Sequence, residues 1–295
     1  MGAFMTRTAI CVLIGSLAGP VLAGVGLPMG LSAQEEVAVE PGDRLVVENL
    51  SGSLAIRGWD ESRVSFRSAD EEVRLARQGG RVTLERAGRR GPRGSVGGEL
   101  RVPRAMDLRL GGLELDVLLE DVDGTARIHV VEGDLGLRRT GGDIEARTLD
   151  GEIRVEDARG SLVLSAQSDD VTVRGLQGAR LQVQSGDGDL TLVEIEVDRL
   201  EAETLDGDVA LQVDFRAGAV YRVSVHDGDA TIAIPRGAGV RGRVATFDGD
   251  FVTDIPVTVN RFEGGRGFEF EIGDGRAELE VEVFDGEIRL VETLP

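Results

Sequence analysis

The feature that most constrains this chain is a short motif repeated at nearly constant spacing. It reads Thr148-Leu-Asp-Gly-Glu-Ile153, Ser185-Gly-Asp-Gly-Asp-Leu190, Thr204-Leu-Asp-Gly-Asp-Val209, His226-Asp-Gly-Asp-Ala230 and Thr246-Phe-Asp-Gly-Asp-Phe251, with a last copy at Phe284-Asp-Gly-Glu-Ile288. Gly151, Asp169, Gly188, Gly207, Gly228 and Gly249 are 18, 19, 19, 21 and 21 residues apart. Within that interval a half-step of nine runs through Gly124, Gly133, Gly142, Gly151, Gly160, Asp169 and Gly178. After each comes a pair of alternating apolar residues, such as Ile153/Val155, Leu162/Leu164 and Val171/Val173. Period-2 alternation broken by a turn residue is a strand-turn rhythm. Two short strands per coil of 18–21 residues predict an all-β chain wound as a β-solenoid. A sandwich or barrel also has strands at 8–12-residue spacing but needs no constant interval. The calcium-binding nonapeptide β-roll requires further Gly and Asp positions that are missing here.

One coil buries roughly five or six medium apolar side chains at ~1.5–3 kcal/mol each. Ordering ~19 residues costs more than that, at ~1–2 kcal/mol of backbone entropy per residue. No coil stands alone, so contact between neighbours must hold the fold. The 37-residue step from Gly249 to Gly286 fits two further coils. The regular coils are placed at residues 111–254. Less regular strands at 37–110 and in the C-terminal part, 255–295, are expected to cap the open edges. Within the first cap, Trp59 is read as a plug at the end of the fold rather than a sugar platform. The basic run 86–93 is read as a solvated loop, and Pro103 marks an edge strand or its end.

Residues 1–33 read as a signal peptide. Arg7 precedes the apolar stretch 9–22, with cleavage preferred after Ala33 and possible after Ala23. Residues 34–295 then form a single solenoid domain, exported to the periplasm, the cell surface or beyond. The one cysteine, Cys11, lies in the signal, so the mature chain has no disulfide and no second apolar span. A formal charge of −20 disfavours nucleic acid and anionic membrane surfaces.

The segment Asn49-Leu-Ser-Gly-Ser-Leu-Ala-Ile-Arg-Gly-Trp-Asp60, then Arg101-Val-Pro-Arg104, the Asp-Gly copies and the closing Glu282-Val-Phe-Asp-Gly-Glu-Ile288 together resemble an exported bacterial β-strand-repeat family of unknown function, called "putative adhesin". The resemblance covers nearly all the mature chain. It implies a β-solenoid of the envelope or extracellular space, and it brings no catalytic residues with it.

The residues suggest little chemistry of their own. His129 and His226 are the only histidines, and neither belongs to a zinc-spaced cluster or a nucleophile motif. Aligning the coils gives three columns. The first, Asp187, Asp206, Asp227 and Asp248, suits turn capping. The second, Asp189, Asp208, Asp229 and Asp250, points outward on the strand with no turn to explain it. The two together are candidate calcium ligands. The third contains Leu205, His226 and Phe247, with Phe284 further on. Packing into the corner is the favoured reading of this column; exposed, it would be a docking edge. No cofactor is assigned beyond possible calcium. The expected function is a non-enzymatic, adhesin-like or structural module that binds an envelope protein or polysaccharide. The alternatives are an envelope polysaccharide enzyme and a regulatory periplasmic partner of a membrane protein.

Overall fold

The computed structural model describes residues 33–68, 73–86, 96–261 and 267–293. Residues 1–32 of the signal-peptide reading, Cys11 among them, and most of the basic run 86–93 lie outside them, while Ala33, the preferred cleavage residue, is the first residue described. The described residues are built from strands and turns, as the alternation predicts, and they contain no helix long and apolar enough to cross a membrane.

The N-terminal strands are β1 (Ala33–Ala38), β2 (Arg44–Trp59), β3 (Arg63–Ser68), β4 (Val73–Gln78), β5 (Arg81–Arg86) and β6 (Val96–Pro103). The repeats follow as β7 (Asp107–Glu120), β8 (Ala126–Glu132), β9 (Leu135–Arg138), β10 (Asp143–Thr148), β11 (Ile153–Arg159), β12 (Ser161–Ala166), β13 (Val171–Asp187), β14 (Leu190–Asp206), β15 (Val209–Val213), β16 (Val220–Asp227) and β17 (Ala230–Pro235). The C-terminal part holds β18 (Val240–Asp248), β19 (Phe251–Thr253), β20 (Thr258–Arg261), β21 (Gly267–Ile272), β22 (Ala277–Asp285) and β23 (Ile288–Thr293).

Two parallel ladders run through these strands. The strand before each Asp-Gly corner joins one ladder: β8, β10, β12, the second half of β13, the second half of β14, and β16. The strand after the corner joins the other: β9, β11, the first halves of β13 and β14, β15 and β17. One pass through both ladders is a rung. Register follows the sequence interval. Ile144 pairs with Leu162, Leu181 with Leu200, and Leu200 with Tyr221, at steps of 18, 19 and 21. The longer step has a local cause. Residues 214–219 loop out between β15 and β16, and buried Tyr221 ties that loop down. Its hydroxyl donates to the Asp214 carbonyl at 2.8 Å and accepts the Arg216 N–H at 3.2 Å.

Alternation puts Leu, Val, Ile and Ala on the inward side of every rung. Leu162, Leu181, Leu200 and Tyr221 stack in one buried row; Val171, Leu190, Val209 and Ala230 stack in another. On the flat outer faces Arg meets acid. Arg139 forks onto Asp121 at 3.0 and 3.1 Å, and this pairing holds the Asp121 carboxyl below its usual range.

The stacking order departs from chain order at the C-terminal end. β22 pairs on one side with β16 and on the other with β18, while β23 lies between β17 and β19. The last rung in sequence is therefore inserted between two earlier ones. The 37-residue step does not add two coils outward; it returns the chain into a one-rung gap. The excursion that makes this possible includes β21, which pairs antiparallel on the outer edge of β18. There the Phe270 ring lies over Gly242, where any Cβ would fall about 1.9 Å from it. The N-terminal end uses the same device. Antiparallel β3 covers β6 and lays Phe66 over Gly98. Regular parallel stacking also starts earlier than residue 111, since β2 already pairs in parallel with β7.

An open gap would leave the edges of β16 and β18 both unpaired and ready to join another chain. A chain ending after Arg276 is accordingly expected to lose its single cooperative melting transition and to associate. Adding a peptide of residues 277–293 should reverse the association, as followed by light scattering. A truncated chain that stays monomeric with an unchanged transition would contradict this topology.

Candidate functional site

The corner where the two ladders meet gathers all three columns. Strand conformation persists into the corner itself, since β14, β16, β18 and β22 end at Asp206, Asp227, Asp248 and Asp285. Inward and outward positions alternate up to the residue before the first acid, and the acid that follows is exposed as well. Thr204 is buried, and its hydroxyl donates to the Gly188 carbonyl of the preceding rung at 3.1 Å. Thr148 does the same to Gly133 at 3.3 Å, so the hydroxyl that opens the motif serves the neighbouring rung.

The second acidic column has a backbone task. The Asp208 N–H donates to Asp189 Oδ1 at 2.8 Å, the Asp229 N–H to Asp208 Oδ1 at 2.8 Å, and the Glu287 N–H to Asp229 Oδ1 at 2.8 Å. Asp189 donates likewise to Asp170 at 2.9 Å, Asp134 to Asp116 at 3.1 Å and Glu152 to Asp134 at 3.0 Å. Each carboxylate thus replaces a carbonyl that the turn has swung out of the ladder. Aspartate has the right reach. Where Glu stands, at Glu152 and Glu287, the carboxylate pairs instead with Arg154 and Arg289 two residues on.

This bond also explains the glycine. Gly228 has φ +132°, and a Cβ there would fall 2.4 Å from the Gly207 carbonyl oxygen and 3.2 Å from Asp208 Oδ1. Gly207 sits in the same way over Gly188 and Asp189. Close approach between rungs, together with positive φ, demands glycine at these positions.

The first column behaves otherwise. Asp187, Asp206, Asp227, Asp285 and Asp248 are in register and exposed. Their carbonyls take part in the ladder: Gly188 donates to Asp206, Gly207 to Asp227, Gly228 to Asp285 and Gly286 to Asp248. Among the described residues, none of these side chains has a hydrogen bond or an ion pair. Capping thus belongs to the acid after the glycine, not the one before it. Among the calcium candidates, Asp189, Asp208 and Asp229 each have one oxygen committed to the backbone. Among the described residues, no group of three or more acidic, His or Cys side chains is placed to hold a metal ion.

The third column stands exposed, contrary to corner packing. Register aligns Leu113, Val131, Leu149, Gln167, Gly186, Leu205, His226, Phe284 and Phe247. Six large apolar side chains are exposed among the described residues. Five belong to this column, at 40% for Leu113, 55% for Leu149, 54% for Leu205, 47% for Phe284 and 53% for Phe247. Only Val252 lies elsewhere. Because the last rung is inserted, Phe284 falls between His226 and Phe247. The His226 and Phe284 rings stack at 4.9 Å and 23°, and the Phe284 and Phe247 rings at 4.7 Å and 6°. A groove of about 450 Å³ runs beside them, lined also by Glu203, Ser224, Ala245 and Glu282.

Other sequence candidates go elsewhere. Trp59 is half-buried; its Nε1 donates to the Arg63 carbonyl at 2.9 Å, and the Arg63 and Arg101 guanidiniums lie over its ring. That face is not open for a sugar. His129 is exposed beside Glu145 at 3.5 Å.

A family model described as Toastrack DUF4097 matches residues 43–291, which takes in both ladders. The chain belongs to this family. The match agrees with the resemblance carried by the 49–60 segment and the Asp-Gly motifs. No curated protein matches the sequence. Among solved structures, a "putative cell adhesion protein" from Clostridium sporogenes is 12% identical and has a TM-score of 0.22; the match covers 89% of this chain and all of that one. "Putative adhesins" from Parabacteroides distasonis and Parabacteroides merdae are 10% and 8% identical, each with a TM-score of 0.38. They cover 90% and 89% of this chain, and 98% and 96% of their own. At these scores the likeness carries no information about ligand or partner.

The corner geometry gives different roles to two acids only two residues apart, Asp206 and Asp208. Replacing Asp208 with Ala is expected to lower stability by about 1–2 kcal/mol, the scale of a hydrogen bond to a charged acceptor at a partly wet site. Asp208→Asn should recover most of that loss, because its amide oxygen still accepts. Asp206→Ala should stay within about 0.5 kcal/mol of wild type. Urea melts of the three variants check this; equal losses at 206 and 208 would contradict it.

Proposed function

We propose that the chain is an exported β-solenoid that works without catalysis, as a binding and structural module of the bacterial envelope or extracellular space. Its contact surface is the exposed column at the Asp-Gly corner. The observation that supports this reading is that, among the described residues, five of the six exposed large apolar side chains lie in one column. Scattered single exposures are ordinary, whereas a contiguous row is characteristic of contact surfaces. The row rests on a hydrogen-bonded ladder, so its side chains are held in fixed register. Many weak contacts along such a repeat add up to useful avidity. The partner is an envelope protein or polysaccharide.

The test compares wild type with a Leu205→Ser/Phe247→Ser/Phe284→Ser variant. These side chains are already half in water, so the variant should melt as wild type does. Binding to solubilised envelope protein or to purified envelope polysaccharide should fall at least ~10-fold, as several anchors are lost together. Undiminished binding by a folded variant would remove the column as the contact surface.

A further inference from the structure

We propose that the corner recognises a basic, amphipathic polypeptide segment, with apolar side chains on the Leu205–Phe247 stripe and Lys or Arg over the acidic columns beside it. This rests on the reading of the corner as a contact surface and adds the chemistry of the occupant.

The stripe and the acids are two separate observations on adjacent columns. Leu205, His226, Phe284 and Phe247 supply four consecutive rungs of exposed apolar and aromatic surface. One residue further along every rung stands Asp206, Asp227, Asp285 or Asp248, exposed and, among the described residues, without a basic partner. Two residues beyond those, Asp208 and Asp229 continue the negative charge, with Asp250 on the outermost rung, while Glu287 is paired with Arg289. The far side of the stripe is acidic as well, at Glu203 and Glu282. Guanidiniums on these rungs are already paired: Arg289 with Glu287 of the second column, Arg222 with Glu280, Arg241 with Glu271 and Arg243 with Glu269.

Arg139 pairs with Asp121 and Arg222 with Glu280 on the outer faces, and Arg289 pairs with Glu287 at the corner, but among the described residues the first-column carboxylates Asp206, Asp227, Asp285 and Asp248 have no Arg partner. Like charges about 4.8 Å apart repel by roughly 0.9 kcal/mol per pair in water. An occupant that brings cations relieves this repulsion. One that brings anions, such as an anionic lipid surface or nucleic acid, adds to it. A second copy of this chain docked corner to corner would set acid against acid. An uncharged glycan could stack on the rings but would leave the repulsion as it was. A basic segment with an apolar face satisfies both columns at once.

The dimensions suit a helix or a short extended segment. Four rungs at about 4.8 Å span roughly 14 Å, which is about two and a half turns of α-helix at 5.4 Å per turn. Helical apolar residues at i, i+3, i+4 and i+7 then repeat at nearly the rung spacing.

The probes are three synthetic peptides of about 14 residues, enough to span four rungs as a helix. The first has Leu at helical spacing and Lys elsewhere; the second keeps the Leu pattern and replaces Lys with Glu; the third is oligolysine. Titrated into the full chain, the Leu/Lys peptide should bind at least ~10-fold more tightly than oligolysine, reflecting the apolar anchors. It should weaken steeply between low and high salt, and the Leu/Glu peptide should not bind. The Leu205→Ser/Phe247→Ser/Phe284→Ser variant should lose the difference between the Leu/Lys peptide and oligolysine. Several outcomes would overturn the proposal: equal binding of oligolysine, equal binding of the Leu/Glu peptide, no binding of the Leu/Lys peptide, or an unaffected variant. A parallel assay against envelope material separates the two levels. If the variant loses envelope binding while the Leu/Lys peptide neither binds nor competes, the corner stands and the occupant is wrong. If the variant keeps envelope binding, the corner itself is wrong.

Discussion

The structure depends on one contact above all: at corner after corner the carboxylate of the aspartate after the turn accepts an N–H from the next rung, as at Asp134, Asp189, Asp208 and Asp229. A parallel ladder supplies carbonyls to its own amides only while the backbone stays extended. The Asp-Gly corner bends it, and the main-chain acceptor is lost at the point where the two ladders meet. Asp189, Asp208 and Asp229 replace it with their side chains. Once that bond is made, the next rung must approach closely, which is why Gly207 and Gly228 have no room for a Cβ. The strand can then stay regular up to the corner, and alternation forces the residue before the first acid outward. The exposed stripe is thus a consequence of how the corner closes.

Packing and charge divide the surface accordingly. Inward rows hold Leu, Val and Ile against their counterparts above and below, and neighbouring rungs share the cost of ordering that no single rung could meet. Outer faces place Arg beside acid. Apart from Arg154 beside Glu152 and Arg289 beside Glu287, the corner does neither. It keeps its negative charge and its apolar row side by side because the ladder bond fixes one and strand alternation fixes the other. The caps solve a different problem, the unpaired edge, with antiparallel strands that press Phe66 and Phe270 against glycines.

Much of this was legible from the chain alone. The 18-, 19- and 21-residue intervals matched ladder register, and alternating Leu and Val named the inward rows correctly. Three things were hidden, each for a physical reason. The stacking order of the last rungs was hidden because a repeat identifies which segments are rungs, not which rung neighbours which. The step from Gly228 to Gly249 looks like any other, yet Gly286 lies between them. The role of Asp208 was hidden because its partner is 21 residues away, at Asp229, while turn chemistry is read within four. The exposure of Leu205 was hidden because a corner could have turned it inward. Only the persistence of β14 to Asp206 decides against that.

The most direct test of this account is amide hydrogen exchange at Asp189, Asp208, Asp229 and Glu287, followed residue by residue by NMR. Amides bonded to the carboxylate below should be protected to nearly the level of the interior ladder amides of Leu190 and Val209. The Asp208→Ala variant should lose protection at Asp229 alone. Exchange at the rate of open loop amides at all four positions would contradict the account, because the acid column would then be only a row of solvated charges.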